Sequence, residues 1–125
     1  MRHVVLSVLA VAILATSAGA CCHKRRHKAH GGHGCISVTS NVAPRLCSEF
    51  HVAWQKGDAK TALALHDKLM PLHTNLFMET SPAPIKYAMS LLGKMDQTLR
   101  LPMVPVSEPT RAAVRSAMVH AGLIN

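Results

Sequence analysis

The 125-residue chain is short of aromatic residues and of acids. Phe50, Trp54, Phe77 and Tyr87 are its whole aromatic supply, too few for the stacking platforms on which single-stranded nucleic acids are held. It has six acidic residues against fourteen basic ones, a balance that suggests a nucleic-acid binder until the charges are located. Residues 1–30 hold Arg2, Lys24, Arg25, Arg26 and Lys28 with no acid, giving +5 of the formal +8; residues 31–125 give the remaining +3. The basic excess is therefore local, and no nucleic-acid partner is expected. The chain is also too short for two large domains. At 49% hydrophobic it is too apolar to be wholly disordered.

The first thirty residues differ from the rest. A short basic start, an apolar run from Val4 to Ala15 and small residues ending in Ala18-Gly19-Ala20 resemble a secretory signal. Cys21 would suit a lipoprotein cleavage site, although Ala18 stands where a larger aliphatic is usual. The uncharged stretch Val4–Cys22 is nearly long enough to span a membrane. The basic cluster from His23 to Lys28 argues against export, because such a flank is held in the cytoplasm. Two readings stand: an export signal or membrane anchor, or a stretch foreign to the folded protein.

The same region gathers Cys21, Cys22, His23, His27, His30, His33 and Cys35, the ligand types that zinc and copper prefer. Structural zinc sites space their ligands as pairs across a loop, whereas here two cysteines are adjacent and no second C-x2-C knuckle follows. The tract reads as adventitious, and no metal is expected.

From residue 31 onward the pattern is that of a folded domain. Cys35–Thr39, with β-branched Ile36, Val38 and Thr39, reads as a short strand. Pro44 opens a helix through Leu46, Phe50, Ala53 and Trp54 that Gly57 stops. Asp58 caps a second helix, on one face of which lie Ala62, Leu65, Leu69, Leu72 and Leu76. Pro71 falls inside it and should kink it. A third helix runs from Ile85 to Leu92 and closes at Gly93; Leu99–Val106 is extended by its prolines; a last helix spans Ser107–Ala121 with Gly122 as its stop. One strand among four helices leaves its backbone groups without a partner, so a sheet is missing.

Five motifs then occur in order: GGHGCISVTSN at 31–41, LMPLH with LF at 69–77, PAPIKYA at 82–88, TLRLPMVP at 98–105 and HAGL at 120–123. Together they resemble the dihydrodipicolinate synthase family of the class I pyruvate aldolases, over about Ala29 to Asn125; residues 1–28 resemble nothing in it. The resemblance implies a mostly α chain that is the remnant of a (β/α)8 barrel plus the family's helical C-terminal extension. Cys35–Thr39 would be the last strand, Pro44–Lys56 the last barrel helix, residues 29–57 the last β/α unit and 58–125 the extension. A complete barrel takes about 250 residues.

The family condenses pyruvate with aspartate semialdehyde, without a cofactor, through a Schiff base on a lysine that must be partly neutral to attack. That lysine lies in a Gly-Ile-Lys motif, which this chain does not contain, and the proton-relay tyrosines lie on earlier strands; Tyr87 stands in a different motif. The resemblance leaves no catalytic residue here and one substrate contact, the main-chain carbonyl at Ile36, toward pyruvate. It further implies a homotetramer in the cytoplasm, against the alternative of export or anchoring through residues 1–22.

Other candidates have plainer readings. Lys86 belongs to a helix of the extension, away from a barrel mouth. His66, His73 and His120 fall at helical spacings among apolar neighbours, as packing or exposed residues. Cys35 and Cys47 are small apolar side chains. Ser37 and Ser40 lack a nucleophile elbow. The leading expectation is an inactive C-terminal third of a synthase; the rivals are an exported helical interaction module and a His/Cys-rich metal-binding peptide.

Overall fold

Three of the helices end on the same hydrogen-bonded cap, and the glycines responsible are those the sequence marks as stops. In the computed structural model, which describes residues 35–125, Gly57, Gly93 and Gly122 have φ of 76°, 65° and 68°, a region open to glycine at little steric cost. At Gly57, the Asp58 amide donates to the Ala53 carbonyl at 3.0 Å and the Gly57 amide to the Trp54 carbonyl at 3.1 Å. The same pair of bonds recurs behind Gly93, on Met89 and Ser90, and behind Gly122, on Met118 and Val119. Each satisfies two carbonyls that a helix end leaves without an intrahelical partner.

Five helices occur among the described residues: α1 Thr39–Val42, α2 Pro44–Gln55, α3 Ala59–Asn75, α4 Ala83–Leu91 and α5 Glu108–His120. Pro44, Pro84 and Pro109 each occupy a first turn, where a missing N–H removes no intrahelical bond. For that reason α4 starts at Ala83, two residues before the start expected from Ile85. Asp58 caps α3 as expected, its Oδ1 accepting the Thr61 N–H at 3.0 Å. Pro71 does not divide α3, which continues through it to Asn75 as one helix.

The expected strand at Cys35–Thr39 is not formed: no strand occurs among the described residues. Val38 has φ −61° and ψ −44°, and Thr39 already belongs to α1. The cause is the one that made the strand anomalous in the sequence. A strand needs a neighbour to take its N–H and C=O groups, whereas here the Asn41 amide donates to the Val38 carbonyl at 3.1 Å and the Ala43 amide to the Thr39 carbonyl at 2.9 Å. Helical pairing is available locally. The 92–107 connection holds no helix, as its prolines dictate, but it folds back at residues 100–103, where the Met103 amide donates to the Arg100 carbonyl at 3.0 Å.

Residues 36–125 form one compact unit. α3 lies at its centre, packed on α2 and on α5; α4 packs on α5, and α1 on α2 and α4. The heart of the core is Leu69, Leu72 and Leu76 from α3 and its end, against Val114 and Met118 of α5, none more than 1% exposed. Polar ties fix the arrangement. Asn75 Nδ2 donates to the Ala113 carbonyl at 2.9 Å, and the Arg111 guanidinium lies 5.2 Å from the centre of the Tyr87 ring while its Nε donates to the Val106 carbonyl at 3.1 Å. Ile36, Phe77, Met78, Leu101 and Val104 remain exposed.

Candidate functional site

The segment leading into α1 carries the one predicted substrate contact. Ile36 precedes a tight turn in which the Ser40 hydroxyl donates to the Ser37 carbonyl at 2.5 Å and the Asn41 side-chain amide to the Val38 carbonyl at 3.0 Å. Ser40 thus helps form the turn through its side chain, by a local bond of the kind that side chain favours, and Ser37 through its main-chain carbonyl. The Ile36 side chain is fully exposed, at 105% of its reference area. Among the described residues nothing encloses it.

Lys86 is placed where a strut belongs. Its Nζ donates to the Thr98 carbonyl at 2.6 Å, tying α4 to the long connection that follows. It lies on a helix of a helical unit, and an amine already engaged with a carbonyl is poorly placed to attack a ketone. Tyr87, beside it, is buried with its ring under Arg111. The nearby Asp96 carboxyl is held below its ordinary value, chiefly by hydrogen bonds from Thr98 and in smaller part by the Lys86 charge.

The histidines separate. His120 is exposed and His66 half-buried, whereas His73 is 7% exposed and its Nδ1 lies 2.7 Å from the hydroxyl of Thr39, itself 1% exposed. No local pattern signals that pairing, because its partners stand 34 positions apart. Cys47 is buried in the core, as its apolar reading requires. No group of three or more His, Cys, Asp or Glu among the described residues is arranged to hold a metal ion; Cys21, Cys22, His23, His27, His30 and His33 lie outside them. So does the apolar run Val4–Cys22, and no described helix is long and apolar enough to cross a membrane.

A second polar arrangement also escaped the sequence. The Glu79 carboxylate accepts the Ser107 hydroxyl at 2.5 Å and the Ser107 amide at 3.1 Å, binding the α3–α4 loop to the start of α5. The Ser107 hydroxyl, and behind it Thr110, hold the Glu79 carboxyl below its ordinary value. Ser107 starts α5 as expected, but its hydroxyl serves Glu79 instead of capping its own helix. Two open grooves lie on the surface of the described residues. One, of about 420 Å³, lies between α2 and α3 over Val52, Ala53 and Leu65, with Lys56 and Asp58 on its rim. The other, of about 290 Å³, lies between Glu79, Ala83 and Met103. The first is also lined by Ser48, Glu49 and Thr61.

Most of the chain is similar to known proteins. The family model of the Dihydrodipicolinate synthetase family matches residues 15–121. The 4-hydroxy-tetrahydrodipicolinate synthase of Bradyrhizobium diazoefficiens is 86% identical over 99 residues, which are 79% of this chain and 33% of that protein. Among solved structures, dihydrodipicolinate synthase from Thermotoga maritima is similar with a TM-score of 0.78 at 39% identity, over 85% of this chain and 36% of that one. A chloride-inhibited dihydrodipicolinate synthase from Acinetobacter baumannii, complexed with pyruvate, has a TM-score of 0.70 at 39% identity, over 75% and 32%. The chain spans about a third of the length of the curated relatives it matches.

Proposed function

The chain belongs to the dihydrodipicolinate synthetase family, and from that membership we propose that it is the C-terminal third of a 4-hydroxy-tetrahydrodipicolinate synthase. Residues 29–57 stand where the family has its last β/α unit, and residues 58–125 stand for its helical extension. The complete enzyme would condense pyruvate with aspartate semialdehyde in lysine biosynthesis, in the cytoplasm and as a homotetramer. This chain would contribute the Ile36 main-chain carbonyl to the pyruvate pocket and the helices that brace it.

By itself the 125-residue polypeptide would not catalyse the condensation. Schiff-base chemistry needs an amine with a free electron pair next to the bound ketone, built at the C-terminal ends of barrel strands. The observation that carries this reading is the place of Lys86, the lysine of the family's C-terminal signature. It sits on a helix rather than at the end of a strand, with its Nζ held by the Thr98 carbonyl.

Borohydride trapping tests it. The chain is incubated with pyruvate and sodium borohydride, which reduces an iminium between the keto carbon and a lysine nitrogen to a stable secondary amine. Intact-mass measurement should show an unmodified polypeptide. A stoichiometric adduct, mapped to Lys86 or any other lysine of the chain, would refute the reading.

A further inference from the structure

We propose that His73 is a positioning residue for the Ile36 main chain, acting through Thr39. The functional meaning of this rests on reading Ile36 as a pyruvate contact of the assembled synthase; the geometry stands apart from that reading. Thr39 Oγ1 and His73 Nδ1 are 2.7 Å apart, at 1% and 7% exposure. A threonine hydroxyl donates or accepts, so either imidazole tautomer completes the bond. At this depth neither group has water to turn to, and removal of one leaves the other's polar atom buried at a cost. Position 39 is therefore held to α3, the central helix of the unit.

From Thr39 the restraint passes upstream through short links. The Thr39 carbonyl accepts the Ala43 amide at 2.9 Å, and the Val38 carbonyl accepts both the amide and the side chain of Asn41, at 3.1 and 3.0 Å. The Ser37 carbonyl accepts the Ser40 hydroxyl at 2.5 Å. Three consecutive carbonyls, 37 to 39, are thus fixed by the turn, and the turn is fixed by His73. Ile36 is the next residue. Its side chain is fully exposed, so its own packing does not hold it, and the turn behind it restrains the path of its backbone from the C-terminal side. The extension would in this way register the last active-site backbone contact of a barrel from outside the barrel wall.

The test uses the whole 125-residue chain and reads two quantities by NMR: amide hydrogen exchange at each residue, and the carbonyl carbon shift of Ile36. Thr39→Val keeps the shape and removes the hydroxyl. It should raise exchange at Asn41 and Ala43 by about tenfold, the effect of one buried hydrogen bond, and move the Ile36 carbonyl shift toward its random-coil value. The amides of Val114, Ala117 and Met118 in α5 should keep their wild-type rates. Thr39→Ser, which retains the hydroxyl, should restore both readouts. Uniform acceleration across α1 and α5, outright unfolding, an unmoved Ile36 shift, or a Thr39→Ser chain as disturbed as Thr39→Val would each overturn the proposal. A pyruvate adduct on this chain would instead overturn the functional reading and leave the exchange result standing.

Discussion

Replacing Leu72 with alanine removes the side chain at the centre of α3, where exposure is 0%. Its surroundings give the cavity little room to collapse. Leu69 and Leu76 are fixed on the same helix and its end, and Val114 sits on the facing helix; of the neighbouring core residues only Met118 is flexible enough to relax inward. The cost is the lost transfer energy plus the residual cavity, about 3 kcal/mol within the usual 2–5. Leu63, on the same helix but 50% exposed, forfeits about half of its burial and creates no cavity, so Leu63→Ala should cost less than about 1 kcal/mol. Urea unfolding followed by far-UV circular dichroism, with the single tryptophan Trp54 as a second probe, separates the two. At a slope of about 1–1.5 kcal/mol/M for a domain this small, Leu72→Ala lowers the midpoint by about 2–3 M. Equal losses at the two sites, or a Leu72→Ala cost below about 1 kcal/mol, would refute the assignment of the core to the α3–α5 face.

Two further outcomes follow from the polar and backbone details. The Glu79 carboxyl is lowered in the folded chain, chiefly by the Ser107 hydroxyl, so its contribution is complete above the unfolded carboxyl value and is lost as pH falls through the folded one; melting temperatures taken from neutral pH to below about 4 should fall less steeply for Glu79→Gln than for wild type, and parallel curves would remove Glu79 from the account. Gly93→Ala should cost about 1 kcal/mol by forcing a Cβ into the left-handed region, with no steric share because nothing lies within 4 Å of the added carbon; an unchanged urea midpoint would show that the cap tolerates a side chain.

Helix positions were largely legible because their signals are local. Pro44 and Gly57 bracket α2, Asp58 starts α3, and Gly93 and Gly122 close α4 and α5, each through chemistry contained within a few residues. The buried stripe Ala62, Leu69, Leu72 and Leu76 followed from periodicity alone, and Leu65 is half-buried. The strand failed for the reason that a strand is never a local object. Ile36, Val38 and Thr39 have the right residue types, but β-structure requires a second chain segment, and without one the backbone took the nearer helical bonds. The proposed contact at Ile36 rests on resemblance alone, since Ile36 would act through its main chain and a carbonyl leaves no mark on residue type. Thr39–His73 and Glu79–Ser107 were invisible because each joins positions 28 or more residues apart, with no rule of spacing to connect them.

The link between α2 and α3 has a consequence for time as well as shape. Only residues 56–58 separate the two helices, and closing so short a connection costs little chain entropy. α5 reaches α3 across more than thirty residues that include the proline-rich connection. The α2–α3 pair should therefore form early, on the microsecond scale of local helical contacts, and α5 should dock later. Leu69 and Leu72 would wait on that later step, so the last helix to arrive is the one that seals the core.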